Sequence, residues 1–200
     1  MTKKISSLYI NLVSLQAILW SITVMKAVVK FFRHRAVGRF LKRRKACVLP
    51  DLNKYPSVAV VLDNDQFEHH KEIEQALSKV FVMKRYTFIV YADTLPGTVM
   101  QTERYFFITK NDFDFWGMIK KDKKEAIAYM SFDMVVDFSR KSDDLETNNY
   151  IISLINSSFR VTFGNTARQL YDLVIDSKKE DSILNQIGIL HRYLSMLLGK

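Results

Sequence analysis

The first fifty residues contain no aspartate and no glutamate. They carry eleven Lys and Arg side chains, whereas the other 150 residues carry 19 basic and 21 acidic ones. The basic character of the chain therefore belongs to an N-terminal arm. The body gives no electrostatic case for nucleic-acid binding. Cysteine is almost absent: Cys47 is the single one, which excludes a disulfide scaffold and a thiolate zinc site. The six glycines are nowhere closely grouped, which excludes both G-x-G-x-x-G and a Walker A loop. What is present is apolar: 48% of 200 residues are hydrophobic. That suffices for a packed core, excludes a disordered chain, and suits one domain with an appendage.

The arm divides in two. Ile5 to Met25 has no formal charge and is long enough to span a bilayer. Ser6, Ser7, Asn11, Ser14, Gln16, Ser21 and Thr23 dilute it. Dense positive charge follows at Lys26, Lys30, Arg33, Arg35, Arg39, Lys42, Arg43, Arg44 and Lys45. Three readings are open for residues 1–25. The first is a single membrane anchor; the positive-inside rule then places the C-terminal domain in the cytoplasm and the protein in the inner membrane. The second is a buried or peripheral helix. The third is translation from Met25, which makes residues 1–24 an artefact and the protein cytoplasmic.

Residues 26–50 read as a basic amphipathic helix, with Val28, Val29, Phe32, Ala36, Phe40 and Leu41 at helical spacing. Its nine cations suit an anionic membrane surface, and nucleic acid only through this arm if at all. A solvated helix that packs its apolar stripe on the domain is the competing reading. A protein partner is left open.

Residues 52–200 alternate strands with helices. Ser57–Leu62, Tyr86–Tyr91, Arg104–Thr109, Phe132–Phe138, Phe159–Phe163 and Tyr171–Asp176 are apolar or aromatic runs of strand length. Helical periodicity covers 66–81, 145–156 and 181–198, Pro96-Gly97 marks a turn, and 111–117 reads as a loop. Continuous apolar strands joined by helices predict a Rossmann-like, doubly wound, mostly parallel sheet preceded by a helical arm.

Candidate chemistry is sparse. Strand runs end at Asp63 (with Asp65), Asp93, Asp137 and Asp176. In open parallel sheets ligands bind beyond the strands' carboxyl ends, so these five carboxylates form the candidate ligand or metal cluster. Asp is also a common strand-ending turn former, which supplies the bland alternative. Asp63-Asn-Asp65 looks like the D-x-D of haloacid-dehalogenase-type phosphatases, but Gln66 replaces the usual Thr or Val. His70 and Glu74 lie four apart with no third ligand. Cys47 follows a basic run without a nearby histidine. No catalytic residue, metal site or cofactor is assigned.

Two resemblances follow. Phe132-Asp-Met-Val-Val-Asp-Phe138, Ser153-Leu-Ile-Asn156 and Arg160-Val-Thr-Phe-Gly164 resemble part of the Rossmann-like N-terminal domain of heptosyltransferase-type glycosyltransferases. The second domain, which binds the sugar nucleotide in that family, has no counterpart, so transferase activity is not implied. Over residues 30–198 the chain resembles a small bacterial family of uncharacterised proteins. The carriers are the basic helix, Asp63-x-Asp65-x-Phe67, Phe115-Trp116-Gly117, Phe132-Asp133, Tyr171–Asp176 and Tyr193-Leu194. Together these readings predict a non-catalytic α/β binding or scaffold module at or near the inner membrane. The alternatives are an enzyme handling a phosphorylated or sugar-nucleotide ligand at the strand ends, and an RNA- or ribosome-associated factor using the arm.

Overall fold

A computed structural model describes the chain except residues 1, 45, 52–55, 81–85, 96–101, 103, 140–144, 165–167, 178–180 and 198–200. For residues 2–19, 80 and 145 it describes backbone only. The expected turn at Pro96-Gly97, and Lys45 and Phe81, therefore lie outside the described residues. The elements run α1 (Thr2–Arg43), β1 (Val58–Asp63), α2 (Asn64–Phe67), α3 (His70–Val80), β2 (Tyr86–Ala92), β3 (Tyr105–Thr109), α4 (Lys121–Tyr129), β4 (Ser131–Asp137), α5 (Leu145–Leu154), β5 (Asn156–Phe163), β6 (Leu173–Ile175) and α6 (Ile183–Leu197).

All strand pairs are parallel, and the sheet order is β3-β2-β1-β4-β5-β6. This is the Rossmann order, with the strand order reversing between β1 and β4. Parallel strands need crossover helices, and those helices cover both faces. The pleat then divides the apolar residues. Val58, Val60 and Leu62 face α3 and α6, meeting Ile73, Leu77, Ile187, Leu190 and Leu194. Ala59 and Val61 face the other way, toward the cluster built on Tyr150, Ile151, Ile155 and Ile127. Each fully buried Leu or Ile in these layers contributes roughly 1.5–3 kcal/mol.

The second layer is closed by α1. Its Ala36, Val37, Phe40 and Leu41 pack on the same cluster as α5. Arg33 Nε donates to the Gly117 carbonyl at 2.9 Å, and its Nη1 to Thr147 Oγ1 at 2.5 Å. Lys30 pairs with Glu146 at 2.5 Å and Arg44 with Asp172 at 2.5 Å. Ala36, Phe40 and Leu41 of the apolar stripe are thus used on the domain itself, whereas Phe32 is partly exposed beside Trp116.

The membrane expectation is corrected. Among the described residues no helix is long and apolar enough to cross a membrane, which overturns the single-pass inner-membrane reading. The physical reason is the polar dilution of residues 5–25, together with a helix that runs unbroken into Arg43 and docks on α5.

Local differences have local causes. Gln66–Phe81 is not one helix: it breaks at Glu68-His69 into α2 and α3. The last strand is shorter than read, because Tyr171 and Asp172 precede it. α4 has no counterpart among the elements expected from the sequence. Its sequence, Lys121-Asp-Lys-Lys-Glu-Ala-Ile-Ala-Tyr129, buries only Ile127 and so shows no apolar stripe.

Candidate functional site

The strand order makes the carboxyl ends of β1 and β4 the natural crevice of this fold. Asp63 ends β1 and Asp137 ends β4; both are buried, at 3% and 2% exposure. Val61 is the register partner of Asp137, so Asp63 lies two residues further along. Both carboxylates project from the same face of adjacent strands.

The crevice is filled by the chain's own polar groups. Gln66 Oε1 accepts from the Asp63 backbone N–H at 2.8 Å. From the other side of that amide, Nε2 donates to the Phe138 carbonyl at 2.7 Å. One side chain thus bridges the two strand ends across the switch. Asp137 accepts from the Ser139 N–H at 2.9 Å, the Ser139 hydroxyl at 2.6 Å and the Tyr171 hydroxyl at 2.5 Å. Behind them, Phe138 and Phe163 stack with ring centroids 5.1 Å apart.

Burial pushes the Asp137 carboxyl up to about 6, against the opposing pull of its Ser139 and Tyr171 hydrogen bonds; the charge of Asp63 adds a smaller upward push. Burial, and then the neighbouring Asp137 carboxylate, hold the Tyr171 phenol well above its ordinary value. This is a buried acid–phenol pair with little group left to offer a ligand.

The other candidate carboxylates are elsewhere. Asp65 is exposed in the first turn of α2. Asp93 is exposed beyond β2 and pairs with Lys110 at 3.0 Å. Asp176 is exposed beyond β6 at the sheet edge. The fold brings Asp63 and Asp137 together and leaves Asp65, Asp93 and Asp176 apart from them. Among the described residues no group of three or more His, Cys, Asp or Glu could hold a metal. His70 instead stacks on Phe67 at 4.5 Å, and Glu74 accepts from the Tyr86 hydroxyl. The Cys47 thiol is raised, first by burial and then by Asp172, the opposite of activation.

Sequence reasoning missed Gln66 as a bridge, and as the lining Ser139, Tyr171 and Thr162, whose hydroxyl donates to the Asp137 carbonyl at 3.4 Å. A polar residue three places after a strand-ending Asp is the capping-box pattern, which could have flagged Gln66. Tyr171 carried no local signal.

The nine arm cations also separate. Lys30, Arg33 and Arg44 serve internal contacts. Lys26, Arg35, Arg39, Lys42 and Arg43 are exposed. Lys45 lies outside the described residues.

The fold and site define a Rossmann-like α/β protein whose switch point is bridged by its own side chains. Residues 30–197 match a family of unknown function, DUF6913, and the chain belongs to it. No curated protein and no solved structure matches the chain. The partial likeness to heptosyltransferase-type enzymes therefore finds no support beyond the shared fold class.

Proposed function

We propose that this chain is a non-catalytic α/β binding module. The observation that carries the reading is the Gln66 amide, which ties β1 to β4 where a nucleotide would otherwise lie. A phosphate at that place needs close backbone N–H groups and glycine-permitted approach. Here the loop is Asp63-Asn-Asp-Gln66, whose carboxylates repel phosphate. Asp137, the one strongly shifted acid among the described residues, is enclosed by Ser139 and Tyr171.

Binding is then carried by α1, where the exposed Arg39, Lys42 and Arg43 favour an anionic partner. The experiment is a titration with UDP and with ADP, followed by the backbone amide resonances of residues 63–66 and 137–139. Unchanged resonances support the module. Saturable shifts confined to those amides would favour the enzyme reading instead.

A further inference from the structure

We infer that the cleft between α1, α4 and α5 is a binding site for a small phosphorylated molecule, with Arg39, Arg43 and Lys124 around its phosphate. This rests on the reading that the module binds through α1, and it names the site and the ligand class.

The cleft encloses about 290 Å³, near the lower end for ligand sites and too small for a dinucleotide. Arg39 and Arg43 are one helical turn apart on α1, and Lys124 comes from α4. Like charges at i and i+4 disfavour a helix, so this spacing stabilises nothing on its own. None of the three has an ion-pair partner among the described residues. No carboxylate lines the cleft.

The nearby acids are engaged elsewhere. Glu125 pairs with Lys121 and Asp112 with Lys123. Asp114 accepts from the backbone N–H groups of Trp116 and Met118. Other cations of α1 show the contrast, since Lys30 and Arg44 each meet a carboxylate at 2.5 Å. Two guanidinium forks and an ammonium that line one cleft with no carboxylate in its lining are suited to a phosphate, which arginine can grip bidentately. Phe40, Met118 and Leu154 supply an apolar wall for the rest of the molecule.

The test is a calorimetric titration of the full chain with pyrophosphate at low and at physiological salt. Three variants are compared with wild type: Arg39→Gln/Arg43→Gln, Lys124→Gln, and Lys26→Gln/Arg35→Gln. The last removes the same charge from α1 outside the cleft. Saturable binding is expected, weakened about tenfold or more in the double cleft variant and less in Lys124→Gln, consistent with loss of charge-assisted hydrogen bonds. The control variant should bind within about twofold of wild type.

Equal weakening in the control would mean a diffuse field and overturn the site. So would absence of binding at low salt. A short single-stranded oligonucleotide that binds wild type and is not displaced by pyrophosphate would assign the face to nucleic acid and also overturn it. The switch-point amides report separately, so failure of the cleft leaves the Gln66 argument standing, and the converse holds too.

Discussion

The Tyr171 hydroxyl donates to the Asp137 carboxylate at 2.5 Å, with both residues buried between the sheet and the α1–α5 layer. The pair places a titrating carboxyl in the interior, and its sign can be worked out. Asp137 is raised from 3.8 to about 6 in the folded protein. The folded state therefore binds the proton more tightly than the unfolded chain. Its contribution to stability is fully present below about pH 4 and is lost as pH rises through about 6.

The size is about 2–3 kcal/mol at most. Other groups titrate in the same window, so the measurement is a difference. Urea unfolding of wild type and Asp137→Asn from pH 4.5 to 8 should show wild type gaining on the variant as pH falls. A parallel pair of curves would mean that Asp137 is not shifted. Tyr171→Phe removes a hydrogen bond to the ionised form and should raise the Asp137 pKa further, read from its carboxyl carbon resonance.

How much of this was legible varies with the range of the interaction. The runs at 58–62 and 134–136 are apolar on both faces of the pleat, which marks strands covered on both sides. Strand order was not legible, and it decides which Asp residues meet. Asp63 and Asp137 end neighbouring strands at the switch, while Asp93 and Asp176 end strands nearer the edges. The meeting of Tyr171 with Asp137 depends on β4, β5 and β6 lying side by side, a long-range fact. The charge of α1 was plain, but Lys30, Arg33 and Arg44 are told apart from Arg39 and Arg43 only by what α5, the 112–118 segment and Asp172 bring to them.

The docking of α1 is expected to depend on Gly117. Its φ of +70° is left-handed, and a Cβ there would run into Val29. Gly117→Ala should cost about 1–2 kcal/mol for the backbone alone, and more if α1 is displaced. Amide hydrogen exchange should rise along 29–43 relative to α6. Adding Val29→Ala should recover the steric part and not the backbone part, a coupling readable in a double-mutant cycle. Full additivity would show that the two residues do not press on each other.

Divalent cations are expected to leave the protein unchanged. A metal bound to the folded state raises the melting temperature by mass action. Of the five candidate carboxylates the fold brings Asp63 and Asp137 together, and Asp137 is already enclosed by three donors. Millimolar Mg²⁺ or Mn²⁺ should therefore give the same melting curve as a chelator. A rise abolished by Asp63→Asn would instead place a cation at the switch.

The last prediction uses Cys47 as a local reporter for the clamp at the end of α1. Asp172 accepts from the Arg160 backbone N–H at 2.8 Å and pairs with Arg44 at 2.5 Å. Arg160 is buried, and its guanidinium lies 4.6 Å from the Phe40 ring centroid. Burial, and then the charge of Arg44, lower its pKa to about 10, while Asp172 pulls the other way. Removing the carboxylate leaves two cations close together without their shared anion, a change of the kind that costs about 3–5 kcal/mol when fully buried. Arg44 retains some exposure, so Asp172→Asn should cost less than that. The same carboxylate also helps to raise the Cys47 thiol, after burial, through its charge and a hydrogen bond. Asp172→Asn should therefore move the midpoint of thiol alkylation to lower pH. Loss of packing alone would change the limiting rate and leave the midpoint where it was. The pH–rate profile thus distinguishes the electrostatic clamp from a merely loosened helix end, because Cys47 is exposed already in the folded chain.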